Sequence, residues 1–384
     1  MKMSDAEPIP LSIPDLGGKE AEYLLQCVRD NWVSSAGPFI SQFEQKIAEW
    51  CGRKYAVATV NGTTALHLAL VGAGARRDTL VAVPDWTFAA SVNAVCHSGA
   101  EPLLVDVSKE TWGLDADMLR KALHDADKPV SAVLAVDPLG YSCDMDTLSK
   151  VCSEFGIPLI EDAAGALGAY YRGQPAGSVG DMAIFSFNGN KVVTAGGGGM
   201  IVTDDRQVAD RMRSLAAQAR QGQSYVHTEV GFNYRMTNLN AAVGMAQFER
   251  LDEMVGCRRA IAAIYDAAFS KRDDIRLIPQ PQWSEGNAWL YSVRCASQSD
   301  AISLVEHLKA RGIEARVFWQ ALSIQPAYKE MRRCLNGISH QLSGTLVSLP
   351  SSSNLTNIDQ ERVLAAMNEW RGGLVGELKG DVSR

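Results

Sequence analysis

The stretch YAVATVNGTTALHLAL (residues 55–70) decides the fold class. Tyr55 to Val60 are apolar, mostly β-branched or small, and suit a buried strand. Asn61-Gly62 suits a turn, and Thr63-Thr64 opens an apolar helix. The same rhythm returns along the chain. TLVAVP (79–84), PLLVDV (102–107), AVLAVD (132–137), IPLIED (157–162), MAIFSF (182–187) and MIVTDD (200–205) read as strands. Thr64–Gly72, Phe88–Ser98, Ala116–Ala126 and Met145–Glu154 read as helices between the earlier ones. Alternation at this spacing predicts βαβ units, and so an α/β large domain with a mainly parallel seven-stranded sheet covered by helices.

Outside this block, Lys19–Val33 and Phe39–Trp50 are predicted helices around the loop WVSSAGP (32–38). From Thr237 the segment TNLNAAVGMAQFERLDEM predicts a long helix, capped by Thr or Asn and continuing to about residue 270. WLYSVRC and EARVF then suggest strands, with helices at Asp300–Arg311 and Asp359–Arg371, which together make a smaller C-terminal α+β domain. The expected division is 1–250 and 251–384, the N-terminal segment being free to join the smaller unit.

Composition narrows the function. Of 384 residues 21% are charged, with a net charge of −7, which argues against a general nucleic-acid binder needing a basic face. The eight cysteines show neither metal-ligand nor CxxC spacing, so the expectation is no metal and reduced thiols in a cytoplasmic protein. The uncharged run from Tyr55 to Ala75 is broken by Asn-Gly-Thr-Thr, so no membrane span is expected.

In a parallel sheet, ligands collect where strands end and helix N-termini point outward. Four stretches fall there. In VNGTTALHLAL (60–70), Gly62, Thr63 and Thr64 offer helix N–H groups and hydroxyls to an anion; a plain capped helix is the ordinary alternative. In IEDAAGALGA (160–169), Asp162 ends an apolar strand, where a carboxylate calls for a cationic partner or serves as a helix cap. In FSFNGNKVVTAGGGGM (185–200), Ser186 and Lys191 flank a turn of Asn188, Gly189 and Asn190. A lysine held there can act as a nucleophilic amine, although a solvated loop lysine is the common case. In GFNYRM (231–236), Asn233 and Arg235 could be mere surface groups. Taken together, these residues suit one ligand: a phosphate at 62–64 and Ser186, a ring nitrogen against Asp162, and an aldehyde on Lys191. That ligand is pyridoxal 5′-phosphate.

These stretches, with WVSSAGPFISQFE (32–44), PDWTFAASVNAVCHSGAEPLLVDV (84–107) and GFNYRMTNLNAAVGMAQFERL (231–251), resemble the DegT/StrS family of sugar-nucleotide aminotransferases. The resemblance implies the aspartate-aminotransferase fold (fold type I). It implies that Lys191 carries the cofactor and moves the proton, that Asp162 pairs with the ring nitrogen, and that Gly62, Thr63, Thr64 and Ser186 hold the phosphate. Phe88 would stack on the ring, with Trp86 the competing candidate. Asn233 would reach the phosphate in a neighbouring subunit, making a homodimer with shared sites. Arg220, Arg235 and Arg316 are candidates for the substrate diphosphate or a glutamate carboxylate, against an ordinary surface role. The loop Trp32–Gly37, with Trp32 and Ser35, is a candidate to close over the sugar, against a simple turn.

Two departures stand out. Gly165 occupies a place where many relatives carry Gln, His or Glu, so water or substrate is expected to replace that contact. DPLG (137–140) stands where relatives often read HLYG. The forms NGNK, QAR (218–220), YVHTE (225–229) and LPSS (349–352) look most like members acting on UDP-linked 4-keto-6-deoxy-N-acetylhexosamines with L-glutamate as donor. GDP- and dTDP-linked sugars are the alternatives. Lysine at 191 argues against the branch that deoxygenates sugars with histidine there. A non-catalytic PLP-binding regulator, or a dinucleotide-binding oxidoreductase lacking its G-x-G-x-x-G, are the remaining rivals.

Overall fold

The computed structural model describes residues 7–380, apart from 221, 223 and 224. Two helices come first, α1 (Glu20–Arg29) and α2 (Pro38–Cys51). An alternating series follows: β1 (Tyr55–Thr59), α3 (Gly62–Gly72), β2 (Leu80–Pro84), α4 (Ala89–Ser98), β3 (Glu101–Val105), α5 (Ala116–His124), β4 (Val130–Val136), α6 (Met145–Phe155) and β5 (Leu159–Asp162). After the short pair β6 (Tyr170–Tyr171) and β7 (Gln174–Pro175) come β8 (Met182–Ser186), β9 (Gly199–Thr203) and α7 (Arg206–Ala216). Helices α8 (Asn238–Phe248) and α9 (Leu251–Phe269) lead to β10 (Ile275–Leu277), β11 (Ser284–Glu285), β12 (Ser292–Cys295), α10 (Gln298–Lys309), β13 (Arg316–Phe318), β14 (Arg332–Cys334), α11 (Ile338–Leu342), β15 (Leu346–Ser348) and α12 (Asn357–Glu369).

The large sheet has eight strands in the order β1-β9-β8-β5-β4-β2-β3-β14. β9 runs antiparallel to both β1 and β8, and the other pairings are parallel. The apolar runs are continuous because both faces are covered. On β8, Met182 and Ile184 join the cluster under α3 and α4, while Ala183 and Phe185 face the cluster under α2 and α8. Seven strands were expected; the eighth, β14, comes from residues 332–334, far beyond the boundary placed near 250. Its sequence, Arg-Arg-Cys, gives no strand signal. Backbone pairing to β3 and the ion pairs from Arg332 to Glu101 and Asp127 hold it at the edge.

A second, antiparallel sheet, β10-β12-β15-β13, lies against α9, α10 and α12. Ile9 is buried in the same cluster and bridges to Ile313, and Leu11 N–H donates to Glu314 Oε2 at 3.0 Å. The helix expected from Thr237 to about residue 270 is interrupted. Thr237 does cap α8, but Arg250 leaves helical geometry (φ −108°, ψ 12°). Its guanidinium reaches back to Asp15 at 3.1 Å and to Glu253 at 2.7 Å, so the break is where the N-terminal segment is fastened. Likewise α1 stops at Arg29, ahead of the expected Val33, since Asn31 turns left-handed (φ 62°).

Candidate active site

β5 and β8 end side by side and deliver Asp162 and Ser186 to one cavity of about 460 Å³. Helix α3 brings its N-terminus to the same place. Its first residue is glycine for a steric reason: a Cβ on Gly62 would lie 2.8 Å from Ser186 Cβ and 3.0 Å from Ser186 Oγ. The serine hydroxyl can therefore sit against the open N–H groups of the first helical turn, a ready anion cradle. Gly62 and Thr63 line the cavity; Thr64 does not. Its N–H and hydroxyl are used in a capping box with Asn61, the Asn61 Oδ1 accepting from Thr64 N at 2.9 Å and Thr64 Oγ1 accepting from Asn61 N at 3.3 Å.

Asp162 is buried and accepts from Ser91 Oγ at 2.8 Å and from Ala164 N at 3.2 Å. Burial pushes its carboxyl upward, opposed by these bonds and by the charge of Lys191. Such a carboxylate inside a cavity suits a cationic ligand atom. Across the cavity, burial lowers the Lys191 amine to about 7, and the Asp162 charge pulls the other way. An amine at that value is about half free base near pH 7 and thus a competent nucleophile. The phosphate cradle, the buried acid and the nucleophilic lysine together fit pyridoxal phosphate.

Two aromatic expectations separate. Phe88, N-cap of α4, is 60% exposed and borders the cavity. Trp86 is 1% exposed and packs edge-on against Trp112 and Trp319, so the structure removes it as a ring-stacking candidate. Arg316 also lines the cavity. The other substrate candidates, and Asn233, expected at a neighbouring subunit's cofactor phosphate, lie elsewhere on this chain. Trp32, Arg220, Asn233 and Arg235 are exposed, Ser35 is half-buried, and none of the five lines the cavity. The loop carrying Trp32 and Ser35 is tied to α8, because Asn238 donates to Trp32 O at 3.0 Å and accepts from Phe39 N at 2.9 Å. Arg235 borders a separate cavity of about 310 Å³ beside Glu44 and Arg213.

The two departures acquire physical content. A Cβ on Gly165 would lie 2.4 Å from Trp289 Cε3: an indole, neither water nor substrate, fills the place of the missing side chain. Trp289 was read only as part of a strand. β12 begins at Ser292, and Trp289 reaches the cavity instead. At the other departure, Asp137 also lines the cavity. Its Oδ2, like Oε2 of Glu161, has no protein partner. Burial first, and then the neighbouring Glu161 charge, push the Asp137 carboxyl well above the usual carboxylate range, and burial likewise raises Glu161. Ser91, the partner of Asp162, was likewise not singled out from the sequence, although it lies in the PDWTFAAS run.

Comparison with known proteins agrees with this geometry. Residues 14–368 match the model of the DegT/DnrJ/EryC1/StrS aminotransferase family. The chain is 39% identical to a GDP-perosamine synthase of Caulobacter vibrioides, over 96% of this chain and 99% of that protein. It is 36% identical to the putative pyridoxal phosphate-dependent aminotransferase EpsN of Bacillus subtilis, over 94% and 95%. The solved structure of DesV from S. venezuelae superposes with a TM-score of 0.87 at 30% identity, covering 95% of this chain and 99% of that one. Among the described residues, no helix is long and apolar enough to cross a membrane. The chain belongs to the DegT/DnrJ/EryC1/StrS family and is a pyridoxal phosphate-dependent sugar aminotransferase.

Proposed function

We propose that the chain moves the amino group of L-glutamate to the C4 ketone of a nucleotide-linked 4-keto-6-deoxy sugar, UDP-linked N-acetylhexosamine being the first substrate class. The observation that carries the reaction type is Lys191 and Asp162 bordering one cavity beside a phosphate cradle. Gly62, Thr63 and Ser186 hold the cofactor phosphate, and Thr64 shapes the turn that presents it. Asp162 keeps the ring nitrogen protonated and Phe88 covers the ring. Pyridoxal phosphate, when bound, supplies the electron sink for the carbon that loses its proton. Lys191 takes that proton from Cα of glutamate and later delivers one to C4 of the sugar, and an amine titrating at about 7 is suited to both steps. Arg316, at the mouth, is placed for a diphosphate or a carboxylate.

The UDP reading is supported by the forms NGNK, QAR, YVHTE and LPSS. A second reading, a GDP-linked sugar, is favoured by the GDP-perosamine synthases of Caulobacter vibrioides, Escherichia coli and Vibrio cholerae, at 35–39% identity. Trp32, Ser35, Arg220, Asn233 and Arg235 belong, in this proposal, to the neighbouring subunit's cavity in a homodimer. The deciding experiment incubates the protein with ¹⁵N-labelled L-glutamate and UDP-, GDP- and dTDP-linked 4-keto-6-deoxy sugars, and follows label into the sugar by mass spectrometry. Incorporation with the UDP sugar is expected, and is absent in Lys191→Ala with its circular dichroism unchanged. No labelled sugar across the panel overturns the substrate class.

A further inference from the structure

We propose that Trp289 is a positioning residue for Lys191: its indole face is the seat of the free lysine amine, and Gly165 is the space that lets the indole occupy that seat. The reading rests on Lys191 as the cofactor-bearing lysine. Lys191 Nζ stands 3.5 Å from the centroid of the Trp289 ring. That is within the range of a cation–π contact, and tryptophan offers the strongest such face.

The ring is fixed from several sides. Its Nε1 donates to Asn190 O, next to the lysine, at 2.7 Å. Its backbone N–H donates to Asn287 Oδ1 at 2.9 Å, and its carbonyl accepts from the buried Arg258 Nη1 at 3.0 Å. Asn287 in turn donates to Gly165 O at 2.8 Å and Leu167 O at 2.9 Å. One polar network therefore sets the height of the Gly165 turn, the plane of the indole and the backbone beside Lys191. With Trp289 Cε3 only 2.4 Å from a Cβ placed on Gly165, any side chain at 165 would have to move the ring.

This arrangement answers a requirement of the reaction. Once the amino-acid donor has displaced the lysine from the cofactor, the amine must stay close to the reacting carbon in both protonation states. A carboxylate partner would hold the ammonium too firmly for it to give its proton back. Water would let the side chain wander among rotamers. An aromatic face attracts the ammonium without a directional hydrogen bond and tolerates the neutral amine, so the lysine stays in reach in either state.

The test uses the full-length protein freed of cofactor, with lysines reductively methylated using ¹³C-formaldehyde and observed by ¹³C NMR. The Lys191 signal is assigned by its absence in Lys191→Ala. Nuclei over an indole face are shielded, so this signal is expected upfield of the surface lysines. Trp289→Leu returns it to their envelope, Trp289→Phe keeps a smaller displacement, and Gly165→Ala mimics the leucine variant by pushing the ring away. In the loaded enzyme, Trp289→Leu is expected to lower kcat with glutamate about thirtyfold, the weight of a desolvated cation–π contact, with KM little changed and with Trp289→Phe recovering most of the loss. A wild-type Lys191 signal inside the surface envelope overturns the proposal, as does a displaced signal that Trp289→Leu leaves unmoved. Borohydride labelling that lands on a lysine other than 191 would instead remove the cofactor reading while leaving the NMR result intact.

Discussion

At the scale of single residues, the amine of Lys191 sets a pH dependence. Its folded value of about 7 lies below the ordinary 10.5, with burial as the cause. Only the neutral amine attacks an aldehyde. Near pH 7 about half of Lys191 is neutral, against roughly one part in three thousand for an ordinary lysine. The rate at which cofactor-free protein takes up pyridoxal phosphate should therefore climb as pH rises through about 7 and level off above it, whereas a surface lysine would keep gaining to about 10.5. Asp162 raises the lysine value, so in Asp162→Asn the midpoint shifts to lower pH. Stopped-flow absorbance across pH 5.5–10 reads both, and a wild-type midpoint near 10 refutes burial as the controlling effect. That Lys191, Asp162, Ser186 and Gly62 share one cavity was legible because each sits in a contiguous strand-end motif whose chemistry is local, whereas Phe88 entered only through the family resemblance. Trp289 was not legible, because its meaning lies in contact with Lys191 and with the missing side chain of Gly165, both distant along the chain.

At the scale of elements, α3 depends on a four-residue device. Asn61 and Thr64 exchange hydrogen bonds across its first turn, satisfying N–H groups that would otherwise be bare and leaving Gly62 and Thr63 to line the cavity. Asn61→Ala is expected to cost about 1 kcal/mol of stability in chemical denaturation, and to speed cofactor loss in gel filtration. Unchanged retention with lowered stability would mean that the cap serves the helix alone. Elements of this kind are written locally, in Asn-Gly-Thr-Thr, just as the seven central strands are written in apolar runs buried on both faces. Two of the misjudged elements are products of tertiary contact. The break between α8 and α9 follows from Arg250 turning back to Asp15, and β14 forms only because β3 offers an open edge and Glu101 and Asp127 offer charge to Arg332. Neither cause is visible within the segment it acts on.

For the whole molecule, the issue is which chain completes which cavity. Asn233 is exposed on its own chain and absent from the cavity that holds Lys191, and the same holds for Trp32, Arg220 and Arg235. In the proposed shared-site homodimer each cavity would take Lys191 from one subunit and Asn233 from the other, which the exposure of Asn233 leaves room for. A symmetric interface makes this arithmetic strict. Lys191→Ala and Asn233→Ala homodimers each lack a complete site. Co-expressed in equal amounts with different tags, the two chains form heterodimers as about half of all dimers, each with one intact and one doubly defective cavity. Activity should therefore return to about a quarter of the wild-type value per chain, and tandem affinity selection for both tags should raise it to about half. If Asn233 serves its own chain's cofactor, or the chains do not exchange sites, the mixture gains nothing over the average of the two parents, and the shared-site dimer is refuted.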